Sequence, residues 1–267
     1  ETGLLSLGEL NGLFSERTKM VAFPHCSNII GYVNPVKEIS QMAHKHGALS
    51  VVDGVGYAPH GFPDIKDLKS DIYLFSLYKT FGPHLGLMFV KNSLIAKMEN
   101  QSHFFKEGMT RSMLTPAGPD HAQIAAASGI IDYFDAIYEH HFDKNEPPAQ
   151  KNRALNRLFH EHEKELLETL LDFLRSRNDI QIIGPNTIDA RAPIVSIIPK
   201  NKDLKKVYAI LTEHKLMLGM GHFYAVRPLM DMNIPRQPGV LRISFLHYTS
   251  KEDINQLITG LKAALDN

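Results

Sequence analysis

The 267-residue sequence has one cysteine, Cys26, and no tryptophan. A single thiol excludes an intramolecular disulfide and any zinc or iron–sulfur centre built from several cysteines; the expected address is a reducing cytoplasm. Net charge is lacking as well. Twenty-nine Lys plus Arg balance 29 Asp plus Glu, for a formal charge of +0, which argues against a nucleic-acid or anionic-membrane surface as the main business. No apolar run approaches the ~20 residues that cross a bilayer. The opening Glu1-Thr2-Gly3-Leu4-Leu5-Ser6 has neither a basic n-region nor a long apolar h-region, so no signal peptide is expected. There is no internal repeat and no low-complexity tract. At 43% hydrophobic and 22% charged residues, the chain can bury a sizeable core, and wholesale disorder is excluded. Its length suits one large domain or two modest ones.

What is present is alternation of short apolar runs with helical patterns, the mark of an α/β domain with a mostly parallel sheet. Lys19-Met20-Val21-Ala22-Phe23 reads as a buried strand. Pro35 to His46 reads as a helix with Val36, Ile39, Met42 and Ala43 on one face, closed by Gly47. Strands follow at Leu49 to Val52, at Asp71 to Phe75 and at Gly86 to Val90, the last close enough to its predecessor for a neighbouring or hairpin strand. A small-residue helix is predicted from about Asp120 to Tyr138. Pro147-Pro148 marks a break before a long amphipathic helix from about Ala149 to Arg175. The pattern then restarts: strands Ile180 to Ile183, Pro193 to Ile198 and Val240 to Ile243, helices Leu204 to His214 and Lys251 to Leu265. We place the boundary inside the long helix, giving domains over residues 1–155 and 156–267.

Ligands of α/β sheets bind beyond the carboxyl ends of parallel strands. Three such ends carry unusual polar groups: His25-Cys26-Ser27-Asn28, Asp53-Gly54-Val55-Gly56 and Ser76-Leu77-Tyr78-Lys79. Asp53 and Lys79 lie one strand–helix–strand excursion apart. A lysine and an acid so placed suit a Schiff-base cofactor, the amine bonding its aldehyde and the acid keeping a pyridinium nitrogen protonated. An Asp and a Lys at strand ends also serve as a cap and a solvated charge, so spacing alone leaves both readings open.

The blocks His25-Cys26-Ser27-Asn28-Ile29-Ile30-Gly31, Pro35-Val36-Lys37-Glu38-Ile39, Val52-Asp53-Gly54 and Ser76-Leu77-Tyr78-Lys79-Thr80-Phe81-Gly82-Pro83 together resemble the class V aminotransferase family, and most nearly its cysteine desulfurase and selenocysteine lyase branch. The resemblance continues through Thr115-Pro116 and Val240-Leu241-Arg242-Ile243-Ser244. It implies a fold-type I pyridoxal-phosphate enzyme with a mostly parallel central sheet, helices on both faces and a smaller C-terminal α/β domain. It further implies a homodimer and an amino-acid substrate. Lys79 would hold pyridoxal 5'-phosphate and later shuttle the α-proton. Asp53 would pair with the pyridine nitrogen, and Ser76 would bond the phosphate. Asn28 would sit beside cofactor and substrate carboxylate. Arg242 would clamp that carboxylate with its planar fork, and Thr115 would reach the partner subunit's phosphate.

The sequence departs from the family at three points. Desulfurases need a mobile-loop cysteine, and the matching stretch Gly221-His222-Phe223-Tyr224-Ala225 has Tyr224 there. Cys26, at a strand end, is expected to be a buried small hydrophobe. A persulfide route is therefore disfavoured, leaving transamination, racemisation or epimerisation, or β-elimination. Gly56 stands where a glutamine usually contacts the ring hydroxyl, and Tyr78 where a histidine often precedes the lysine. Finally, Glu1 corresponds to a point inside the large domain, so the family's opening third, with its phosphate-binding helix start, is expected from the rest of a longer chain or from a second chain. The rival to an enzyme is a catalytically silent fragment or paralogue that keeps the fold for an interaction role.

Other groupings carry less. His140-His141, His160-Glu161-His162 and His44-Lys45-His46 lack the i, i+4 spacing of a zinc helix, so no metal site is expected. Met217, Met220, Met230 and Met232 read as loop or contact residues.

Overall fold

The computed structural model describes residues 3–115 and 118–266. They form two units. A central unit comprises Asn11–His25 and Pro35–Leu155; a C-terminal unit comprises the residues up to Leu10, Cys26–Asn34 and the residues from Asn156 onward.

After helix α1 (Leu7–Gly12), the central unit is built on strands β1 (Met20–Pro24), β2 (Leu49–Asp53), β3 (Ile72–Ser76) and β4 (Gly86–Val90), with helix α2 (Val36–Lys45) linking β1 to β2 and the short α3 (Ile65–Leu68) preceding β3. The sheet runs in the order β1-β2-β3-β4. β1 and β2 pair in parallel from Met20↔Leu49 to Pro24↔Asp53, and β2 and β3 in parallel from Val51↔Ile72 to Asp53↔Leu74. β4 returns antiparallel, Ile72↔Val90 to Ser76↔Gly86, as its short connection allows. The α2 crossover buries Val36, Ile39 and Ala43 on one stripe, and Gly47, at φ +69°, turns the chain out of the helix.

Two expectations need correction. β1 is not buried throughout: Met20 is 52% exposed, since β1 has a neighbour on one side only among the described residues. The single helix expected near residues 120–138 is two, α5 (His121–Ala126) and α6 (Gly129–His141), following the short α4 (Asn92–Ile95). At the break the Ser128 hydroxyl donates to the Ala125 carbonyl at 2.9 Å, the local bond by which serine competes with helix propagation. α6 turns Ile130, Phe134 and Tyr138 inward, Phe134 packing on Phe62 at 4.8 Å between ring centroids.

The long helix α7 (Pro148–Arg175) leads into the C-terminal unit. There β5 (Ile180–Ile183), β6 (Ile194–Pro199), helix α8 (Leu204–Glu213), β7 (Gly219–Gly221), helix α9 (Val226–Asp231), β8 (Val240–Ser244) and helix α10 (Lys251–Asp266) follow in turn. The sheet order is β5-β6-β8-β7, every pairing antiparallel. Leu166, Leu170 and Leu174 from α7 meet Val195 and Ile197 of β6, Leu241 and Ile243 of β8, Leu211 of α8 and Leu261 of α10 in one core. Cys26–Asn34 joins this unit through backbone bonds: Val33 N–H donates to Ala190 O at 2.7 Å and Ala192 N–H to Gly31 O at 2.9 Å. The Ser196 hydroxyl adds a 2.6 Å bond to Ile29 O.

Candidate active site

In the central unit, β2 and β3 are adjacent and parallel, so their carboxyl ends open on the same edge of the sheet. Asp53 ends β2; Ser76 ends β3, and a single 3-10 turn, Leu77–Lys79, follows it. Asp53 and Lys79 are both exposed. One Asp53 oxygen, Oδ1, accepts the Val55 N–H at 2.9 Å, which fixes the carboxylate's direction; among the described residues Oδ2 has no partner. Lys79 Nζ has no carboxylate partner among the described residues and lies 5.7 Å from the centre of the Tyr78 ring, which itself stacks on His84 at 4.3 Å. The Ser76 hydroxyl makes no hydrogen bond among the described residues, while its carbonyl and that of Leu77 accept from the buried Thr80 hydroxyl at 3.2 and 3.0 Å. Thr80 thus holds the turn that carries Lys79.

The packing against the Asp53–Gly54 backbone is uncharged. A Cβ on Gly54 would lie 2.2 Å from the Tyr73 ring, so only glycine lets the chain after Asp53 close over that tyrosine. The Tyr73 hydroxyl and His25 Nδ1 are 2.8 Å apart, and His25 stacks on Tyr57 at 3.7 Å. Burial pushes the His25 imidazole down to about 3, so it is neutral at physiological pH. Its backbone N–H donates to Asp53 O at 2.7 Å. Among the described residues, the charged groups that β2 and the turn after β3 present at these strand ends are Asp53 and Lys79. An unclaimed amine, a directed carboxylate with one oxygen to spare and an unclaimed hydroxyl form a donor set that fits pyridoxal phosphate: aldehyde to amine, ring nitrogen to carboxylate, phosphate to hydroxyl.

Thr115 is half-buried in a turn whose N–H donates to Ser112 O at 3.0 Å; its side chain makes no hydrogen bond among the described residues, and Pro116 lies outside them.

The C-terminal unit brings Asn28 and Arg242 together. Arg242 projects from β8, and its Nη1 donates to Asn28 O at 3.0 Å. The Asn28 amide donates to Phe223 O at 2.8 Å, and the Phe223 ring lies under the Arg242 guanidinium, 3.8 Å from its carbon. Burial pulls Arg242 below the usual arginine range without removing its charge. The loop from Gly221 to Ala225 has two consecutive left-handed residues, Phe223 at φ +47° and Tyr224 at φ +65°. His222 Nδ1 accepts the Tyr224 N–H at 3.1 Å, and the Tyr224 side chain is 98% exposed. Cys26 is buried, and that burial pushes its thiol up to about 12.

Sequence reasoning missed Phe223 as a partner of Arg242, and missed the His25–Tyr73–Tyr57 support under Asp53. Each is a contact between residues far apart in the chain, and aromatic residues give no local sign of which charge they will meet.

The family described as "Aminotransferase class-V" matches residues 1–114 and 155–257. The chain belongs to the class-V aminotransferase family. Pyridoxal phosphate is the cofactor of that family, and the fold is that of its fold-type I members. The chain is 32% identical over 262 residues to an aminotransferase-like protein, FGM3, of Gibberella zeae, spanning 96% of this chain and 62% of that protein. It is 29% identical to a probable cysteine desulfurase of Halalkalibacterium halodurans, spanning 97% of this chain and 61% of the relative. The chain thus spans less than two thirds of the length of these relatives. Among solved structures, the cysteine desulfurase CsdA of Escherichia coli superposes with a TM-score of 0.80 at 20% identity, over 99% of this chain and 63% of that one. A cysteine desulfurase of Thermococcus onnurineus gives 0.80 at 21%, over 99% and 64%.

Proposed function

We propose that the protein is a pyridoxal-phosphate enzyme that acts on an amino acid through a covalent bond to Lys79. The reading rests on one observation: an exposed amine and an exposed carboxylate, neither neutralised by the other or by any described ion pair, at neighbouring carboxyl ends of parallel strands. The His25, Tyr73 and Tyr57 group packed against the Asp53–Gly54 backbone carries no charge to pair with Asp53, which leaves that carboxylate available to a cationic ring nitrogen.

When bound, the cofactor supplies an electron sink that weakens the bonds at the substrate's α-carbon. The chain's residues do the rest. Lys79 Nζ would anchor the cofactor, and its amine would take the substrate's α-proton and return it. Asp53 Oδ2 holds the positive charge of the ring nitrogen. The Ser76 hydroxyl binds the phosphate, with Thr115 reaching the phosphate of a second subunit in a homodimer. Arg242 binds the substrate carboxylate, and Asn28 lies beside it. The proposed reaction is transamination, epimerisation or β-elimination. Persulfide chemistry needs an accessible thiolate, and this chain offers Tyr224 at the loop position and a buried Cys26 whose thiol is pushed up to about 12. A cytoplasmic setting suits a chain with one buried thiol; no helix among the described residues is long and apolar enough to cross a membrane.

The test is direct. The full chain mixed with pyridoxal phosphate becomes yellow, borohydride bleaches the colour, and mass spectrometry finds the adduct on Lys79. Lys79→Ala abolishes the adduct. A protein that takes up no cofactor, or carries it on another lysine, overturns the proposal and favours a silent protein kept for interaction.

A further inference from the structure

We infer that Phe223 is a positioning residue for Arg242, seated by Gly219, and that this aromatic platform sets how the guanidinium fork meets a carboxylate. Three observations within the C-terminal unit carry it. First, Gly219 and Arg242 are cross-strand partners on β7 and β8, and a Cβ on Gly219 would lie 2.6 Å from Phe223 Cζ. The Phe223 ring therefore occupies the space a side chain at residue 219 would fill, directly beside the arginine. Second, the guanidinium carbon is 3.8 Å from the ring centroid, within the range where the negative face of an aromatic ring attracts a cation. Third, the other constraints close a ring around the same group. Arg242 Nη1 donates to Asn28 O, and the Asn28 amide returns a bond to Phe223 O. Phe223 and Tyr224 hold left-handed backbone conformations, which cost energy in residues with a Cβ and persist only where surroundings over-determine them.

The consequence is orientation. Arg242 Nε is buried and has no hydrogen-bond partner among the described residues, and Nη1 is engaged with Asn28. Nη2 has no hydrogen-bond partner among the described residues, so it is the group of the fork left to meet a carboxylate. Without the ring, the guanidinium can rotate and lose this presentation. The inference deepens the proposed role of Arg242 and rests on it.

Two measurements on the full chain loaded with pyridoxal phosphate separate the claims. The first is NMR of the Arg242 side chain, identified as the signal lost in Arg242→Lys. Ring-current shifts of its Cδ protons disappear in Phe223→Leu and in Gly219→Ala, and persist in Phe223→Tyr. Unmoved Arg242 signals in Phe223→Leu overturn the inference. The second is the apparent affinity for L-alanine as probe, read from the cofactor's absorbance. Phe223→Leu weakens it by roughly 5- to 10-fold, on the scale of one partly desolvated cation–π contact, and Phe223→Tyr restores it. In turnover the loss falls mainly on KM rather than kcat. If Arg242→Ala weakens L-alanine binding and Phe223→Leu does not, the Phe223 role fails and the carboxylate reading stands. If Arg242→Ala leaves binding unchanged, the carboxylate reading itself is overturned.

Discussion

The two sheets of this protein are covered very differently. In the C-terminal unit every residue of β6 except Ile198 is buried, and leucines from α7, α8 and α10 close over the sheet. In the central unit β4 carries Leu87, Met88 and Phe89 on alternating faces, all exposed, with Met88 at 52%. The leucine-rich core lies in the unit with Arg242, whereas the central unit buries a mixed set that includes Ile39, Val52, Tyr73 and Phe134. Among the described residues, the sheet with Lys79 and Asp53 has apolar side chains exposed on its edge strand β4. Strand pairing and a mixed aliphatic and aromatic packing, with Val52, Tyr73 and Leu77 buried, position the Lys79 edge, whereas a leucine-rich core positions Arg242.

The largest test of that contrast is a pair of truncations. Leu170→Ala, at a fully buried position of α7, is expected to cost about 2–5 kcal/mol in urea unfolding, the range for a leucine deleted from a close-packed core. Met88→Ala on β4 is expected to cost less than about 0.5 kcal/mol. Equal costs would erase the difference between the two sheets.

A smaller effect belongs to the central unit and to pH. Asp71 is buried just before β3; it accepts from Lys91 Nζ at 2.7 Å, from Ser50 N–H at 2.9 Å and from His44 Nε2 at 2.7 Å. Burial opposes its ionisation, but these bonds outweigh burial and pull it down to about 2. A carboxylate depressed on folding stabilises the native state above its unfolded value near 3.9 and loses that contribution as pH falls toward 2. At most about 2 kcal/mol is expected to disappear across this window. Urea midpoints measured from pH 5 to pH 2 should show the loss in the native chain and a flatter profile in Asp71→Asn; parallel profiles would remove Asp71 from the account.

The smallest effect concerns association. Among the described residues β4 is an apolar edge with unpaired backbone groups, a template for another strand, so these 267 residues taken by themselves should self-associate through β4 at high concentration. Met88→Lys is expected to reduce that association in sedimentation experiments while shifting monomer stability by no more than about 0.5 kcal/mol. Association that persists unchanged in Met88→Lys would point to another surface.

How much was legible in advance differs between these regions. The strand ends at Asp53 and Ser76, the turn bearing Lys79 and the return strand at Gly86 were readable because each is a local signal: an apolar run, a polar stop and glycine or proline punctuation. The long helix was readable because its apolar stripe repeats over 28 residues. β7 was not, since Gly-Met-Gly has no strand preference and is extended only because β8 pairs with it. The antiparallel order of the C-terminal sheet was equally hidden, and so was the break at Ser128, where one serine hydroxyl outcompetes a helix bond. Among the candidate site residues, sequence placed Arg242 on a strand but not Phe223 beneath it, and placed Asn28 in a motif without indicating that its amide would hold a loop nearly two hundred residues away.

The order of residues by itself determined the α/β character, the parallel strands and the appearance of Asp53, Ser76 and Lys79 at their carboxyl ends, because backbone periodicity and turn chemistry act over a few neighbours. Folding in three dimensions decided which of the described groups lack a partner among the described residues, which ring lies against Arg242 and which described strand faces are exposed. Those outcomes depend on burial and on contacts between distant segments, and no stretch of a few residues contains both partners.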